Sequence, residues 1–420
     1  MNGLENKLFH KRENFSREEF ENRMKIHGFK NIARLELFLW DLELFLQIQD
    51  ILGERIVLKG GAAVQFYLPI KAQRTSVDID MLFLGTKDEI DDVLDLITQK
   101  LKLDDNTFTF TLHQPKMPKT ELPLYTYYVN VPSVLTEAEL WTKYARDAKQ
   151  ELKIEFIIAQ EDIEISRVSG EDIFAVSSPF AYNVLSINHL FADKLTTLGP
   201  NTIGIQDDRI DEQVKQIYDI WMLLNHRLNE LNLDIVREKY SARAKLECDS
   251  RNIPFDMDII KCDVFEQMGR ISAVDSGNDK LLMQQINNFK GLYLNATIDF
   301  KGVDVACAAS IIRLLYEIIL SNEYDISIIY KAFELETLLD LKLSGLEKGR
   351  KVKELRDILI SSFSSYSVLD AKILKGKNLK RVFWAVVNIE NIRVIEEIIT
   401  SSISTSMHQT SNISLDSVEI

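Results

Sequence analysis

The feature that most constrains this chain is a glycine pair followed by two alternating aspartates. Gly60 and Gly61 end a short β-rich segment, and Asp78 and Asp80 follow in the run Arg74-Thr75-Ser76-Val77-Asp78-Ile79-Asp80. A strand places residues i and i+2 on one face. A glycine turn at a helix start leaves backbone amides open to an anion. Because carboxylates also bind divalent cations, the combination predicts a site that holds a metal ion and a polyphosphate together.

Composition limits the classes of protein that can carry such a site. The 420 residues allow two or three domains, and the net charge of −14 argues against a broad basic surface for nucleic acid. Three widely spaced cysteines support neither a disulfide framework nor a thiolate zinc site. We find no secretion signal and no apolar run long enough to span a membrane. We therefore expect a cytoplasmic protein without a membrane partner.

Hydrophobic periodicity predicts an α/β (α+β) core, with a mixed sheet flanked by helices, and a C-terminal all-helical domain. The predicted strands are 55–59, 76–84, 107–113, 124–131 and 152–158. The predicted helices of the core are 15–50, 62–68, 87–101, 183–198 and 209–224. We expect four parts: an N-terminal helical segment (1–50) packed on the core, the core (51–228), a helical bundle (229–400) and a Ser/Thr-rich flexible tail (401–420).

The aspartate strand has two interpretations. Alternation turns Val77 and Ile79 toward the core and leaves Asp78 and Asp80 on the open face, where they can bind metal. An isolated Asp-x-Asp also fits a solvated strand face, but the preceding glycine pair favours the metal site. Arg74 and Ser76 can contact a phosphate or simply belong to the loop before the strand.

A third carboxylate is available on the strand at 152–158. Alternation places Lys153 and Glu155 together, away from Ile154 and Phe156. A charged pair on a strand usually faces solvent. After an Asp-x-Asp strand, Glu155 is also a candidate third metal ligand.

Two further candidates come from helices. Lys194 lies within the apolar stripe of its helix and therefore needs an anion, a structural ion pair or a route for its stem to solvent; a substrate phosphate would satisfy it. Asp219 lies almost opposite the apolar stripe of the next helix, so periodicity predicts that it is solvated. It is functional only if that outer face borders the site, where a carboxylate can act as a general base.

These residues resemble the AbiEii-type nucleotidyltransferase toxins of abortive-infection toxin–antitoxin systems, in the DNA polymerase β-like nucleotidyltransferase superfamily. The resemblance covers roughly residues 35–224 in four ordered blocks. They are the glycine turn with Asp-x-Asp, Lys153 with Glu155, Asp193-Lys194, and Lys215-Gln216-Ile217-Tyr218-Asp219. The chain departs from the family where Gln216 replaces the first aspartate of the last block, which removes that carboxylate.

The resemblance implies a magnesium- or manganese-dependent enzyme that transfers a nucleoside monophosphate from a nucleoside triphosphate to an acceptor such as the 3′ end of tRNA. It also implies a cognate antitoxin. Asp78 and Asp80 would bind metal, Gly60, Gly61, Arg74, Ser76 and Lys194 would bind the triphosphate, and Asp219 would act as a base or position the acceptor.

Two other function classes stay open at this point. One is a nucleotidyltransferase acting on a small molecule such as an antibiotic, and the other is a catalytically idle module that binds a nucleotide or a protein. In the C-terminal half, a basic cluster next to Phe383 and Trp384 can either bind RNA or form a solvated helix face. The cluster consists of Lys372, Lys375, Lys377, Lys380 and Arg381.

Overall fold

The chain divides into two compact units. The computed structural model describes residues 4, 7–104, 106–114, 123–136, 138–139, 145–146, 149–159, 162–321, 327–339, 345–367 and 369–413. The core unit comprises Met1–Leu198, Thr202–Phe255 and Gln285–Asp299, and the helical unit comprises Gly199–Asn201, Asp256–Gln284 and Phe300–Ile420. The core therefore extends past the boundary expected at 228 and takes in a second segment at 285–299.

The core unit carries the sheet. Its elements in chain order are α1 (Arg17–His27), α2 (Ile32–Leu52), β1 (Ile56–Lys59), α3 (Gly60–Gln65), β2 (Asp78–Phe83), α4 (Lys87–Leu101), β3 (Phe110–Leu112), β4 (Leu124–Pro132), β5 (Ala145–Arg146), β6 (Lys149–Ile158), β7 (Ile165–Ser169), β8 (Ala181–Leu185), α5 (Ile187–Leu195), α6 (Ile210–Arg227) and α7 (Leu233–Ser250). The described strands form one mixed sheet in the order β3-β4-β6-β2-β1-β8-β7, with β5 beside β6. Strand β2 is antiparallel to β1 and parallel to β6. The predicted α/β fold class is confirmed.

One face of this sheet is apolar and covered by α2. Ile79 and Ile154 on that face are fully buried, and α2 packs against β1, β2, β6 and β8. Gln150, in phase with Ile154 along β6, donates to the Ala33 carbonyl of α2 at 3.3 Å. Because side chains alternate, the aspartates of β2 point to the opposite face. The expected helix behind the sheet is present, and it leaves the carboxylate face clear.

Several boundaries differ from the sequence expectation. Gly28, at φ +73°, ends α1, so the helix expected over 15–50 is two helices. The first part of the helix expected over 183–198 is strand, since Asn183 lies in β8. Strand β8 is a short, buried run, and periodicity does not distinguish such a run from a buried helix segment.

The helical unit contains no strand among its described residues. Its helices are α8 (Met257–Ser272), α9 (Lys280–Tyr293, whose second half enters the core unit), α10 (Gly302–Ile319), α11 (Ser327–Leu338), α12 (Gly345–Phe363), α13 (Ala371–Leu374), α14 (Leu379–Val386) and α15 (Ile392–Ile413). Helix α15 thus continues into the segment expected to be a tail, and residues 414–420 lie outside the described part. In the described portion of the chain, no helix is both long and apolar enough to cross a membrane.

The basic cluster of the helical unit is partly engaged in ion pairs, while Lys372 and Lys375 are exposed. Lys377 and Arg381 both pair with Asp275, at 3.1 and 3.2 Å, and Lys380 pairs with Glu336. The neighbouring rings of Phe383 and Trp384 are buried. Three of the five cations thus pair within the helical unit, and neither ring is accessible to a base.

Candidate active site

The carboxylates of Asp78 and Asp80 stand on the uncovered face of β2. In the parallel pairing with β6, Asp78 lies opposite Lys153 and Asp80 opposite Glu155. Low solvent exposure and then the negative charge of Glu155 raise the pKa of Asp80 to about 7, against the pull of Lys153. Burial and a neighbouring carboxylate therefore both oppose ionisation of Asp80, while Lys153 and Lys59 favour it.

Each of the two glycines leaves space, by lacking a Cβ, for a different part of the site. Gly60, at φ +70°, lets β1 turn directly into α3, and a Cβ added there would lie 2.0 Å from Oδ2 of Asp80. A Cβ at Gly61 would lie 2.6 Å from Nη2 of Arg74 and 3.3 Å from Oγ of Ser76. The glycine turn, Asp80, Arg74 and Ser76 are therefore brought together, as the sequence predicts.

Glu155 is held by neighbours on its own face of the sheet. It pairs with Lys153 at 2.9 Å and accepts a hydrogen bond from the Thr126 hydroxyl at 3.0 Å. Burial works against ionisation of Glu155, but the Lys153 ammonium and these hydrogen bonds hold its pKa below the ordinary value. The described residues contain no group of three His, Cys, Asp or Glu side chains arranged to hold a metal ion. Glu155 thus lies beside Asp80 without completing a three-carboxylate site.

Asp219 is the centre of a buried ion network. Arg74 donates from Nε and Nη2 to its two oxygens, both at 2.7 Å, and Lys194 reaches Oδ2 at 2.9 Å. Lys194 also donates to Oε1 of Gln216 at 2.8 Å. Burial opposes ionisation, but Arg74 and then Lys194 hold the pKa of Asp219 below its ordinary value. The carboxylate stays ionised and is fully engaged.

This network corrects the expectation for Asp219. Asp219 is fully buried rather than solvated, since α6 packs against both α3 and α5 and has no outer face at this point. Arg74 forks onto Asp219, and its Nη1 donates to the Thr75 carbonyl at 2.9 Å, so the guanidinium is already engaged. Lys194 is 3% exposed, and its anionic partner lies within the protein. Gln216, the departure from the family pattern, supplies a neutral acceptor to that lysine.

Lys59 and Asp193 form a second ion pair beside the glycine turn. Lys59 precedes the turn and lies opposite Asp80 in the β1–β2 pairing. Its ammonium donates to Oδ1 of Asp193 at 2.9 Å, and Nε of Arg243 lies 3.7 Å from the same oxygen. Asp193, which turns away from the apolar stripe, is therefore the partner of a lysine that lies opposite Asp80. The sequence interpretation missed Lys59, although its position directly before the glycine pair was visible.

Asp41 and Tyr293 were also missed. Asp41 lies in the apolar helix α2, 1% exposed, and neither of its carboxylate oxygens has a hydrogen-bond partner in the described part of the chain. Burial and then the charges of Asp78 and Asp80 raise its pKa well above the ordinary value. Tyr293 accepts from the Thr75 amide at 3.1 Å, which fixes the loop that carries Arg74. The one sequence signal for Asp41 was the presence of an acidic residue in an apolar helix. No feature of the neighbouring sequence indicated Tyr293.

The donor set fits a magnesium-type ion. Mg²⁺ is usually bound through one or two carboxylates, with water and substrate phosphates completing its shell, and Asp78 and Asp80 provide two carboxylates on one face. Burial and then the charge of Glu155 raise the pKa of Asp80, and a bound cation would favour its ionised form. Gly60 keeps the backbone side of Asp80 clear of any Cβ. The protein therefore provides two carboxylate ligands, and water and substrate phosphates would complete the coordination shell.

Comparison with known proteins agrees with this chemistry. Residues 44–307, well over half of the chain, match the family model "Nucleotidyl transferase AbiEii toxin, Type IV TA system". No curated protein sequence matches the chain significantly. Among solved structures, MenT4, a nucleotidyltransferase toxin from Mycobacterium tuberculosis H37Rv, is similar at 10% identity and a TM-score of 0.40, covering 91% of this chain and 98% of MenT4.

A second similar structure is JHP933 from Helicobacter pylori, at 16% identity and a TM-score of 0.36, covering 69% of this chain and 95% of JHP933. At these values the family match, and not the structural likeness, assigns the chain. Membership implies a nucleoside triphosphate substrate and a cognate antitoxin. With the glycine turn, the aspartate strand and the buried lysine in place, the protein belongs to the AbiEii nucleotidyltransferase toxin family.

Proposed function

We infer that the protein transfers a nucleoside monophosphate from a nucleoside triphosphate to the 3′ end of an RNA such as tRNA, with Mg²⁺ or Mn²⁺ bound by Asp78 and Asp80. The observation that carries this proposal is the pair of aspartates on the open sheet face, packed against the glycine turn. A cognate antitoxin would restrain this activity.

The metal ion would neutralise charge on the triphosphate and lower the pKa of the attacking hydroxyl. Gly60 and Gly61 leave the start of α3 open to phosphate oxygens, with the Ser76 hydroxyl beside them. An ammonium has three N–H donors, of which Lys194 gives one each to Asp219 and Gln216, so one is left for a phosphate oxygen.

Asp219 is better suited to positioning than to proton transfer. A general base must reach the proton that it removes, and both oxygens of Asp219 are held by Arg74 and Lys194 inside the protein. Glu155 would likewise orient Lys153 and act on Asp80 through its charge, rather than bind metal directly.

The test is transfer of label from each of four α-labelled nucleoside triphosphates to total tRNA in the presence of Mg²⁺ or Mn²⁺. We expect one or more nucleotides to label the RNA with the wild type and Asp92→Asn, a matched control on an exposed part of α4, and no label with Asp80→Asn. Label on a small molecule but not on RNA would contradict the RNA acceptor. Absence of metal-dependent turnover with any nucleotide would refute the enzyme activity itself.

A further inference from the structure

The uncovered face of the sheet carries an aromatic pair beyond the carboxylates. Strand pairing aligns Asp78 with Lys153, Lys153 with Tyr128, and Tyr128 with Thr111 across β2, β6, β4 and β3. Because directly paired residues point to the same face, Tyr128 shares the face of Asp78. His113 follows β3, and its ring contacts that of Tyr128 with centroids 5.7 Å apart.

The pair is open enough to receive a flat ligand. Tyr128 is half-buried and His113 is exposed. Their rings meet edge to face, at an interplanar angle of 86°. In that arrangement the ring that presents its edge keeps both faces open, and the other keeps one. An aromatic ligand can therefore stack on at least one ring without disturbing the pair.

The position of the pair suits the acceptor rather than the triphosphate. Adjacent strands are about 4.8 Å apart, so Tyr128 lies two strands, or about 10 Å, from Asp78. The glycine turn and Ser76 lie on the other side of the aspartates, toward β1. In phosphoryl transfer the attacking and leaving oxygens are roughly in line, so an acceptor must approach from the side opposite the leaving pyrophosphate. That side is the one on which β6 and β4 lie.

We propose that Tyr128 and His113 form a stacking site for the terminal base of a single-stranded RNA acceptor. This inference rests on the proposed function, because it takes the triphosphate to lie at the glycine turn. Stacking on an aromatic ring tolerates every base, since each base has a π face. Lys153, between Tyr128 and Asp78 in the same row, places a positive charge where the adjoining phosphodiester would pass. Thr126 and Asn130 alternate with Tyr128 on β4 and offer polar groups to the ribose.

The experiment separates acceptor binding from catalysis. Tyr128→Ala and His113→Ala are compared with Tyr128→Phe, which keeps the ring, and with Tyr125→Ala, which removes a half-buried tyrosine of the same strand that points to the opposite face. We expect Tyr128→Ala to raise the KM for RNA by about 5- to 150-fold, since base stacking has a free energy of about 1–3 kcal/mol. The KM for the nucleoside triphosphate and kcat at saturating RNA should change less than about twofold. Tyr128→Phe should behave as wild type.

A binding assay without nucleotide keeps the two proposals apart. Fluorescence anisotropy with a short 5′-labelled single-stranded RNA should show the same loss for Tyr128→Ala and no loss for Tyr125→Ala. If the wild type binds this RNA through Tyr128 but transfers nothing, the proposed reaction fails while the stacking site stands. If transfer is active and the KM for RNA is unchanged in Tyr128→Ala, or rises equally in Tyr125→Ala, the stacking site is overturned. Transfer to a small molecule with no RNA binding also overturns it.

Discussion

Two groups of charged residues near the active site are built in opposite ways. Around Asp219, two cations engage both carboxylate oxygens, and the whole network is buried. On β2, Asp80 lies opposite Glu155 on one side and Lys59 on the other, Asp78 lies opposite Lys153, and the pKa of Asp80 is raised to about 7. Both oxygens of Asp219 are engaged within the protein, whereas Asp78 and Asp80 are the carboxylates proposed to bind a cation. In this proposal, the carboxylate that positions neighbouring side chains, Asp219, differs from the carboxylates that bind metal, Asp78 and Asp80.

The variant Asp80→Asn should separate the carboxylates of β2 from the Asp219 network most clearly. We expect nucleotide transfer to fall by about a thousandfold or more, because metal stabilisation of charge in phosphoryl transfer is worth several kcal/mol. The folded-state pKa of about 7 lies above the unfolded value of about 3.9. Ionised Asp80 therefore costs stability above pH 7, and the metal-free variant should unfold at a higher urea concentration than wild type at pH 8. Loss of both activity and stability would show that Asp80 has a structural role instead.

Asp219→Ala should give the opposite pattern. Removing this carboxylate leaves the buried Arg74 and Lys194 without their counter-charge, which typically costs about 3–5 kcal/mol. Urea denaturation of the metal-free protein would measure this loss, with Asp80→Ala as the matched truncation. If Asp80→Ala destabilises the protein as much as Asp219→Ala does, the distinction between the two groups is wrong.

Gly60→Ala tests the contact between the glycine turn and the aspartate strand. The added methyl would enter the carboxylate of Asp80 at a positive φ, so we expect a loss of about 1–3 kcal/mol and weaker metal binding. The double variant Gly60→Ala/Asp80→Ala should recover part of this loss. It removes the contacts with Oδ2 and Cγ of Asp80, but it keeps the contact with Cβ at 2.9 Å and the strained φ. Gly277→Ala, at φ +84° with nothing within 4 Å, is the control for strain alone. Equal losses at the two glycines would argue against a specific contact with Asp80.

The smallest expected effect is on the pH dependence of metal binding. Asp80 must lose its proton to bind metal, so affinity for Mn²⁺ should fall by about tenfold for each pH unit below about 7 and level off above it. Calorimetric titration from pH 5.5 to 8.5 would measure this. Asp219→Asn should leave the midpoint unchanged, since its partners are Arg74 and Lys194. A midpoint near the ordinary value for aspartate would contradict the crowding of charge on β2.

The local sequence predicted the strands and the turn that hold the candidate catalytic residues. Strands β2 and β6 and the glycine turn were identified because alternation and backbone freedom are properties of a few adjacent residues. Lys194 was correctly expected to need an anion, but the anion proved to be Asp219 in the metal-free protein. Asp219 was expected to be solvated because periodicity assumes one buried face, and α6 is covered by α3 and α5 together. Amphipathic patterns do not reveal a helix that is packed on both sides.

The sequence alone determined a strand with two aspartates on one face after a glycine turn, because those properties depend on residue type and on a period of two. The tertiary structure determined which charged side chains contact each other. The alignment of Asp78 with Lys153 and Tyr128, and the capture of Asp219 by Arg74 and Lys194, join residues far apart along the chain. Such contacts depend on strand order and helix packing, which the local pattern of side chains does not encode.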